Sequence, residues 1–221
     1  MKHIFRYYIW ASYRRKILDA LLEKHRAVFR GRVLDIGGRD RGKFQKPKQS
    51  VEQWIFADIE EKFHPDMVLD VTDMSSIKEA SIDVINALEL FEHVHEPEKG
   101  LLECFRVLKP GGAMVISCPF LSAIHADPSD FQRWTEDRWR YELEHIGFTI
   151  QTIVVMGRYF TILAEYIKVG IKSLPRVFRY LFYTLFPILD MVASLDRLRA
   201  IQTHHRLGKF HGGYFILAKK K

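Results

Sequence analysis

Apolar residues recur at helical spacing through the first 29 positions of the chain. Ile4, Tyr7 and Tyr8, then Ile17, Leu18, Leu21 and Leu22, fall in step with basic residues between them, and Gly31 punctuates the end. The period then shortens. Arg32–Ile36 reads as a short apolar strand ending in Asp35-Ile36-Gly37-Gly38. Trp54–Ala57, closed by Asp58, and Asp66–Leu69, closed by Asp70, read as the second and third strands, and Ile82–Ala87 as the fourth. A helix is predicted from Pro97 to about Leu108, with proline in its first turn and Lys109-Pro110-Gly111-Gly112 as its stop. Ala113–Cys118 is the fifth strand. Thr135 caps a helix to His145 that stops at Gly147, and Phe148–Val155 is the sixth strand. Gly212-Gly213 leads into the last, Tyr214–Ala218.

Strands alternating with crossovers predict an α/β fold with a mostly parallel sheet. Two crossovers are short: 16 residues separate Ile36 from Gln53 and 8 separate Asp58 from Met67, so the helices there must be stunted or replaced by loops. Residues 157–210 break the alternation with apolar helical stretches interrupted by Gly170, Pro175 and Pro187. The expected organisation is a basic helix over 1–30, a core over 31–156, a helical lobe over 157–210 and a last core strand over 211–221. Tyr180 to Leu189 is the longest apolar stretch, shorter than the roughly 18 residues of a spanning helix. Met1 to Trp10 mixes Lys2, His3 and Arg6 with aromatics and carries no apolar signal-peptide region.

Charge sharpens this division. The formal +7 divides into +6 over residues 1–30, −8 over 31–150 and +9 over 151–221. Basic ends around an acidic middle suit an anionic partner: a membrane surface, a phosphate-linked glycan or nucleic acid. Cys104 and Cys118 form neither a disulfide framework nor a metal-ligand spacing, so a reducing cytosol is expected and no metal site.

In an open α/β sheet, ligands bind beyond the carboxyl ends of the strands. Those ends carry Asp35, Gly37 and Gly38, then Asp58, then Asp70 and Asp73, then Asn86 to Glu89. Glycine lets the backbone approach a ligand, a carboxylate after the second strand can accept from both ribose hydroxyls, and one after the third can receive an exocyclic amine. These are the needs of an adenosine ligand. The run Val33-Leu34-Asp35-Ile36-Gly37-Gly38 resembles the first motif of class I S-adenosylmethionine-dependent methyltransferases. Asp83 to Val94, containing Glu92-His93-Val94, followed by Arg106-Val-Leu-Lys-Pro-Gly-Gly112, resembles the fourth strand and pre-fifth-strand turn of the small-molecule branch, of the methyltransferase type 11 kind.

That resemblance implies a Rossmann-like seven-stranded sheet with a reversed C-terminal strand, and S-adenosylmethionine as cofactor. By position it implies Asp35, Gly37 and Gly38 at the methionine and ribose side, Asp58 and Ile59 at the ribose, and Asp70, Val71 and Asp73 at the adenine with Met74 over its face. Asn86, Ala87 and Leu88 fall beside the methionine amino group, with Glu89 and His93 nearer the transferred methyl. Arg39 stands where the family has a second glycine and is a candidate partner for the methionine carboxylate; solvent exposure is the alternative.

The block His125-Ala-Asp127-Pro-Ser-Asp130-Phe-Gln-Arg133-Trp134-Thr135 resembles one found in methyltransferase-like proteins encoded among cell-surface polysaccharide genes. Imidazole ordinarily exchanges protons near neutral pH, which makes His125 the candidate base with His93 as competitor, oriented by Asp127 or Asp130. An Asp130–Arg133 pair that only locks the loop is the bland reading. The expected acceptor is a small molecule or a glycan, lipid- or phosphate-linked, at a membrane surface. A protein that kept the fold without catalysis is the alternative. Asn-Ala-Leu-Glu after the fourth strand lacks the Asn/Asp-Pro-Pro-aromatic signature of amine-methylating nucleic-acid enzymes, which lowers an RNA methyltransferase reading. Gly37-Gly38 has the wrong spacing for a nicotinamide dehydrogenase. The lobe is expected to cap the site or to face a membrane. Oligomeric state is not encoded in any motif found.

Overall fold

Alternation of strands and crossovers closes into one seven-stranded sheet in the computed structural model, which describes residues 2–38, 42–125 and 129–221. The strands are β1 (Gly31–Ile36), β2 (Val51–Asp58), β3 (Met67–Val68), β4 (Ile82–Leu88), β5 (Leu108–Pro119), β6 (Phe148–Val155) and β7 (Gly213–Lys220). Their order is β3-β2-β1-β4-β5-β7-β6, with β7 antiparallel to both its neighbours and the pairs from β3 to β5 parallel. This is the Rossmann-like sheet with a reversed last strand.

Successive strand residues point to opposite faces, so each central strand feeds two cores. Leu34, Ile85, Ile116 and Ile216 pack under α3 (Pro97–Val107) and α4 (Glu136–Ile146), through Leu101, Cys104, Trp139 and Leu143. Val33, Val84, Val115 and Phe215 pack on the other face, against Leu18 and Leu22. Those two leucines belong to α2 (Tyr13–Lys24). The expected single N-terminal helix is two, because α1 (Lys2–Trp10) ends before Ser12, whose hydroxyl accepts from Arg15 N at 3.0 Å and caps α2. The expected stop Lys109–Gly112 lies inside β5, which starts at Leu108 and pairs with β4 through an irregular register between Ile82 and Val84. Both short crossovers lack a full helix: none is described between β1 and β2, and a 3-10 turn, Glu61–Phe63, follows β2.

The lobe is α5 (Tyr159–Ser173), α6 (Arg176–Phe182), α7 (Phe186–Ser194) and the short α8 (Arg199–Gln202). Its inner residues Ala164, Ile171, Phe186 and Leu189 share a core with Ile9 and Tyr13 of the N-terminal helices. Polar bonds fix the same seam. Asp190 accepts from the hydroxyls of Tyr8 and Tyr13 at 2.6 and 2.7 Å, and buried Lys168 donates to the carbonyls of Tyr8 and Ala11 at 3.3 and 2.7 Å.

Where β6 hands over to the lobe, buried Asp196 accepts from three backbone amides, those of Arg158, Phe160 and Thr161, at 2.8, 3.1 and 2.8 Å. It caps α5 from 35 residues away in sequence. Replacing Asp196 by alanine leaves those donors without their acceptor, at ~1–3 kcal/mol for each one that stays dry. Asp196→Ala is expected to lower the melting temperature by at least about 4 °C and to expose 157–210 first in limited proteolysis; an unchanged cleavage pattern contradicts the anchor.

Candidate functional site

The carboxyl ends of β1, β2 and β4 open on a cleft of about 1210 Å³. Ordinary small-molecule sites enclose ~300–1,000 Å³, so there is space for two ligands side by side. The trimmed crossover after β1 leaves this room, and α2 closes the far side with Arg15, Asp19 and Leu22.

The glycine turn is built for close approach. Gly37 has φ +68 and its amide donates to Ala57 O at 2.8 Å, a backbone that a side chain would strain. A Cβ on Gly38 would lie 2.0 Å from Asp35 Oδ1. Asp35 is itself buried beneath the turn: its carboxylate accepts from Trp54 Nε1 at 2.8 Å and Asn86 Nδ2 at 2.7 Å, with Lys46 Nζ 3.7 Å away. The in-register pairing of Asp35 with Asn86 across β1 and β4 creates this clamp. Farther along, Asp19 of α2 accepts from Lys43 N at 2.9 Å and fixes the Gly42-Lys43 segment. Arg15, Arg26, Lys43, Lys46 and Lys48 also line the cleft. Arg39 and Asp127 lie outside the described residues.

The acidic strand ends are brought together. Asp58 and Ile59, then Asp70 and Val71, line the wall beyond β2 and β3, and Asn86, Leu88 and Glu89 line the floor beyond β4. Asp58 is buried and its Oδ1 accepts from Glu60 N at 2.9 Å; exposed Asp70 accepts from both the amide and hydroxyl of Thr72 at 2.8 Å. Two expected residues are placed elsewhere. Met74 is fully buried in the core, held there because its amide and carbonyl bind Glu103 and Arg106. Asp73 faces solvent and accepts from Ser75 N at 3.1 Å. The side chain of Ala87 packs in the core, so only its backbone is available to a ligand.

At the end of β4, Glu89 adopts φ 55, in the left-handed region, and its amide donates to Ser117 O. Its half-buried carboxylate accepts from Ser117 Oγ at 2.7 Å and from the Arg14 guanidinium of α2. Burial alone would raise this carboxyl, yet Arg14 and Ser117 hold it below the ordinary glutamate range. Glu92, one turn on, is buried, but neither of its oxygens makes a hydrogen bond. Burial, reinforced by the Glu89 charge, pushes its carboxyl up to about 8.

Both histidines gather at Glu92. His93 Nε2 and His125 Nε2 lie 3.8 and 3.9 Å from Glu92 Oε1, and the rings meet edge to face at 5.1 Å. His93 Nδ1 sits 2.5 Å from Ser129 O; the carbonyl can only accept, so Nδ1 donates, and in the neutral ring the lone pair falls on Nε2. His93 lines the cleft, whereas His125 stands behind it, its amide bound to Asp130 Oδ2 at 2.9 Å. The Arg133 guanidinium beside Asp130 holds that carboxyl well below the usual range, so Asp130 positions the loop and takes no proton. The ligand atoms of Glu92, His93 and His125 fall within 4.8 Å of one another. The two separations from Glu92 Oε1, 3.8 and 3.9 Å, lie above the ~3.4 Å edge of a tetrahedral site with ~2.1 Å bonds.

Sequence reasoning missed Arg14, Asp19, Trp54 and Glu92 as site residues. Ser-His-type spacing or glycine patterns carry no trace of Arg14, which reaches Glu89 from 75 positions away. Cys118, at the end of β5, is buried, and burial raises its thiol well above the ordinary value, against a nucleophilic role.

Residues 46–116 match the family model described as a methyltransferase domain. Over 64 residues the chain is 34% identical to the ubiquinone biosynthesis O-methyltransferase of Xanthomonas oryzae pv. oryzae, a stretch making up 29% of this chain and 25% of that protein. The match thus spans about a quarter of the curated relative's length. The fold is shared with a SAM-dependent methyltransferase from Archaeoglobus fulgidus, at TM-score 0.57 and 19% identity over 100% of both chains. It is also shared with the 1,6-didemethyltoxoflavin-N1-methyltransferase of Burkholderia thailandensis, solved with 1,6-didemethyltoxoflavin and S-adenosylhomocysteine, at TM-score 0.54 and 15% identity over 99% of this chain and 83% of that one.

Two stability measurements probe the buried charges. Arg14→Met strands the Glu89 charge, and urea denaturation should show a loss of ~3–5 kcal/mol, partly restored in Arg14→Met/Glu89→Gln; a loss below ~1 kcal/mol sinks the pairing. An unfolded chain ionises glutamate at 4.5, whereas folded Glu92 keeps its proton to about 8. Unfolding between those values releases a proton, so this residue's contribution to stability falls as pH rises through that window. Glu92→Gln should therefore melt at least ~2 °C above the natural chain at pH 8–9, the shift that ~1 kcal/mol gives at this size, with the gap closing near pH 4.5. A pH-independent difference contradicts the assignment.

Proposed function

We propose that this chain is an S-adenosylmethionine-dependent methyltransferase acting on a small-molecule or glycan acceptor. The observation that carries the reading is the convergence, in one cleft, of the glycine turn with Asp58, Asp70 and His93, the last three within the stretch 46–116 that matches a methyltransferase domain.

The residues present fit the cofactor. Gly37, with its left-handed φ, and Gly38, pressed onto Asp35, form a turn that admits no side chain and leaves its backbone open to a ligand in the cleft. Asp58 would hold the ribose hydroxyls, and Asp70 with Val71 the adenine. Among the described residues, no helix follows the turn to bring its N-terminus to an anion there. Arg15, Lys43 and Lys46 line that end instead and would hold the methionine carboxylate. When bound, S-adenosylmethionine supplies a methyl group on a sulfonium, open to in-line displacement by an acceptor oxygen or nitrogen.

The chain's own part is to position the acceptor and remove its proton. His93 is the better base of the two histidines, because it faces the cleft and Ser129 O fixes its tautomer with Nε2 ready to accept. His125 stands one ring behind, where a proton can be passed on, and protonated Glu92 leaves no fixed anion to trap it. The glycan reading rests on the His125–Thr135 block and on the basic ends of the chain, both of which suit an acceptor carried on a phosphate or lipid.

Titration calorimetry with S-adenosylmethionine and S-adenosylhomocysteine tests the reading. Binding of both is expected, with Asp58→Ala about 10- to 100-fold weaker, the loss of one or two hydrogen bonds to a charged group. Failure of the folded chain to bind either ligand overturns it and favours a scaffold that kept only the fold.

A further inference from the structure

The lobe carries a surface that the cleft does not use. From Arg176 to Arg197 the chain runs 22 residues in helical conformation, α6 and α7 joined through a 3-10 turn, with an 18-residue stretch inside it at mean hydropathy 1.3. Pro187 does not break this run, because it occupies the first turn of α7, where its missing amide is not needed. A core helix of this composition would be buried; here only 11% of its apolar stretch is. Val177, Leu181, Leu185, Ile188, Met191 and Leu195 recur every three or four residues as an outward stripe, with Val177 at 81%, Leu181 at 67% and Met191 at 66% exposure.

The charges of the lobe are sorted by sign. Its three acidic residues all turn inward: Glu165 accepts from Tyr13 N at 2.6 Å, Asp190 from the hydroxyls of Tyr8 and Tyr13, and Asp196 from the α5 amides. Arg176, Arg197, Arg199, Arg206 and Lys209 are exposed. The outer face is therefore apolar and cationic, and partly exposed Asp190 is held by the tyrosine hydroxyls with Lys16 Nζ 3.9 Å away. At the α6 end, half-exposed Trp10 adds an amphipathic ring flanked by Arg179 and Lys172, at 5.7 and 5.9 Å from its centre.

We propose that the Arg176–Arg197 helix lies flat in the headgroup region of an anionic lipid bilayer, apolar stripe inserted and arginines against lipid phosphates. Length and hydropathy alone would also allow crossing. The inner face decides against it. Phe186 and Leu189 are buried in the seam with Ile9 and Tyr13, and Asp190 is bonded to two tyrosines, contacts a crossing helix would have to give up. An amphipathic helix with a basic margin binds by inserted apolar area plus attraction to anionic lipid, which matches both halves of the surface. A second copy of the chain is a poorer occupant, since two such faces would bring like charges together.

Flotation of the full chain with vesicles of phosphatidylcholine alone and of phosphatidylcholine with 30% phosphatidylglycerol tests the proposal. Partitioning should be at least about tenfold stronger to the anionic vesicles and fall as salt is raised. Leu181→Glu/Met191→Glu, both changes on exposed positions, should weaken it by about tenfold or more while leaving calorimetric binding of S-adenosylmethionine unchanged. That second readout keeps the fold and the cleft separate from the surface. The proposal fails if the natural chain does not float with anionic vesicles, or if the double variant floats equally well. It also fails if the stripe proves to be a self-association face, seen as a lipid-independent dimer in sedimentation that the double variant dissolves with no vesicle binding in either form.

Discussion

Glu89 stands half-buried at the carboxyl end of β4, and its charge requires a cation that no residue nearby in sequence supplies. Arg14 of α2 supplies it. Once α2 is drawn over the strand ends, the rest of the site follows. Asp19, on the same helix, fixes the Gly42-Lys43 segment, and Arg15 is carried to the anion end of the cleft. Tyr13, one residue before Arg14, ties the helix to Asp190 and Glu165 of the lobe. The second carboxylate, Glu92, then sits beside a charge already fixed and keeps its own proton. One ion pair thus joins the N-terminal helices, the cleft and the lobe, and sets the protonation state of the residue between the two histidines.

The division of labour in the cleft follows from this. A binding half, made of the glycine turn, Asp58 and Asp70, depends on the sheet register that pairs Asp35 with Asn86. A reacting half, made of His93, His125 and Glu92, depends on the loop held by Asp130 and Arg133. Among the described residues, no full crossover helix follows β1 to bring a positive helix end to an anion there. Side-chain cations on a non-helical segment and on α2 take its place. On the outside, the lobe directs its acids inward to bond the N-terminal helices, which leaves a cationic apolar face as the by-product of the same seam.

The sheet was legible because its signal is local. Strand periodicity, the acids and glycines ending the strands, and the short crossovers all appear within windows of a few residues. What depended on distant contacts was not legible. Arg14 and Glu89 are 75 positions apart, and an arginine in a basic helix resembles any solvated one. Met74 reads as a residue that could cover a ring, and only the packing beneath Glu103 and Arg106 shows it in the core. The stretch from Tyr180 to Leu189 looked too short and proline-broken for a long apolar helix, yet the proline falls where a helix tolerates it and the run extends to Arg197. His93 and His125 could not be ranked from spacing; their order with respect to the cleft is a matter of loop path.

The most direct test of the central claim is a crystal structure of the chain with S-adenosylhomocysteine. The account predicts the ribose at Asp58, the adenine beside Asp70 and Val71, the carboxylate among Arg15, Lys43 and Lys46, and the sulfur turned toward His93, with Arg14 still on Glu89. A ligand seated elsewhere, or a cleft in which Arg14 has left Glu89 to bind the carboxylate, would contradict it.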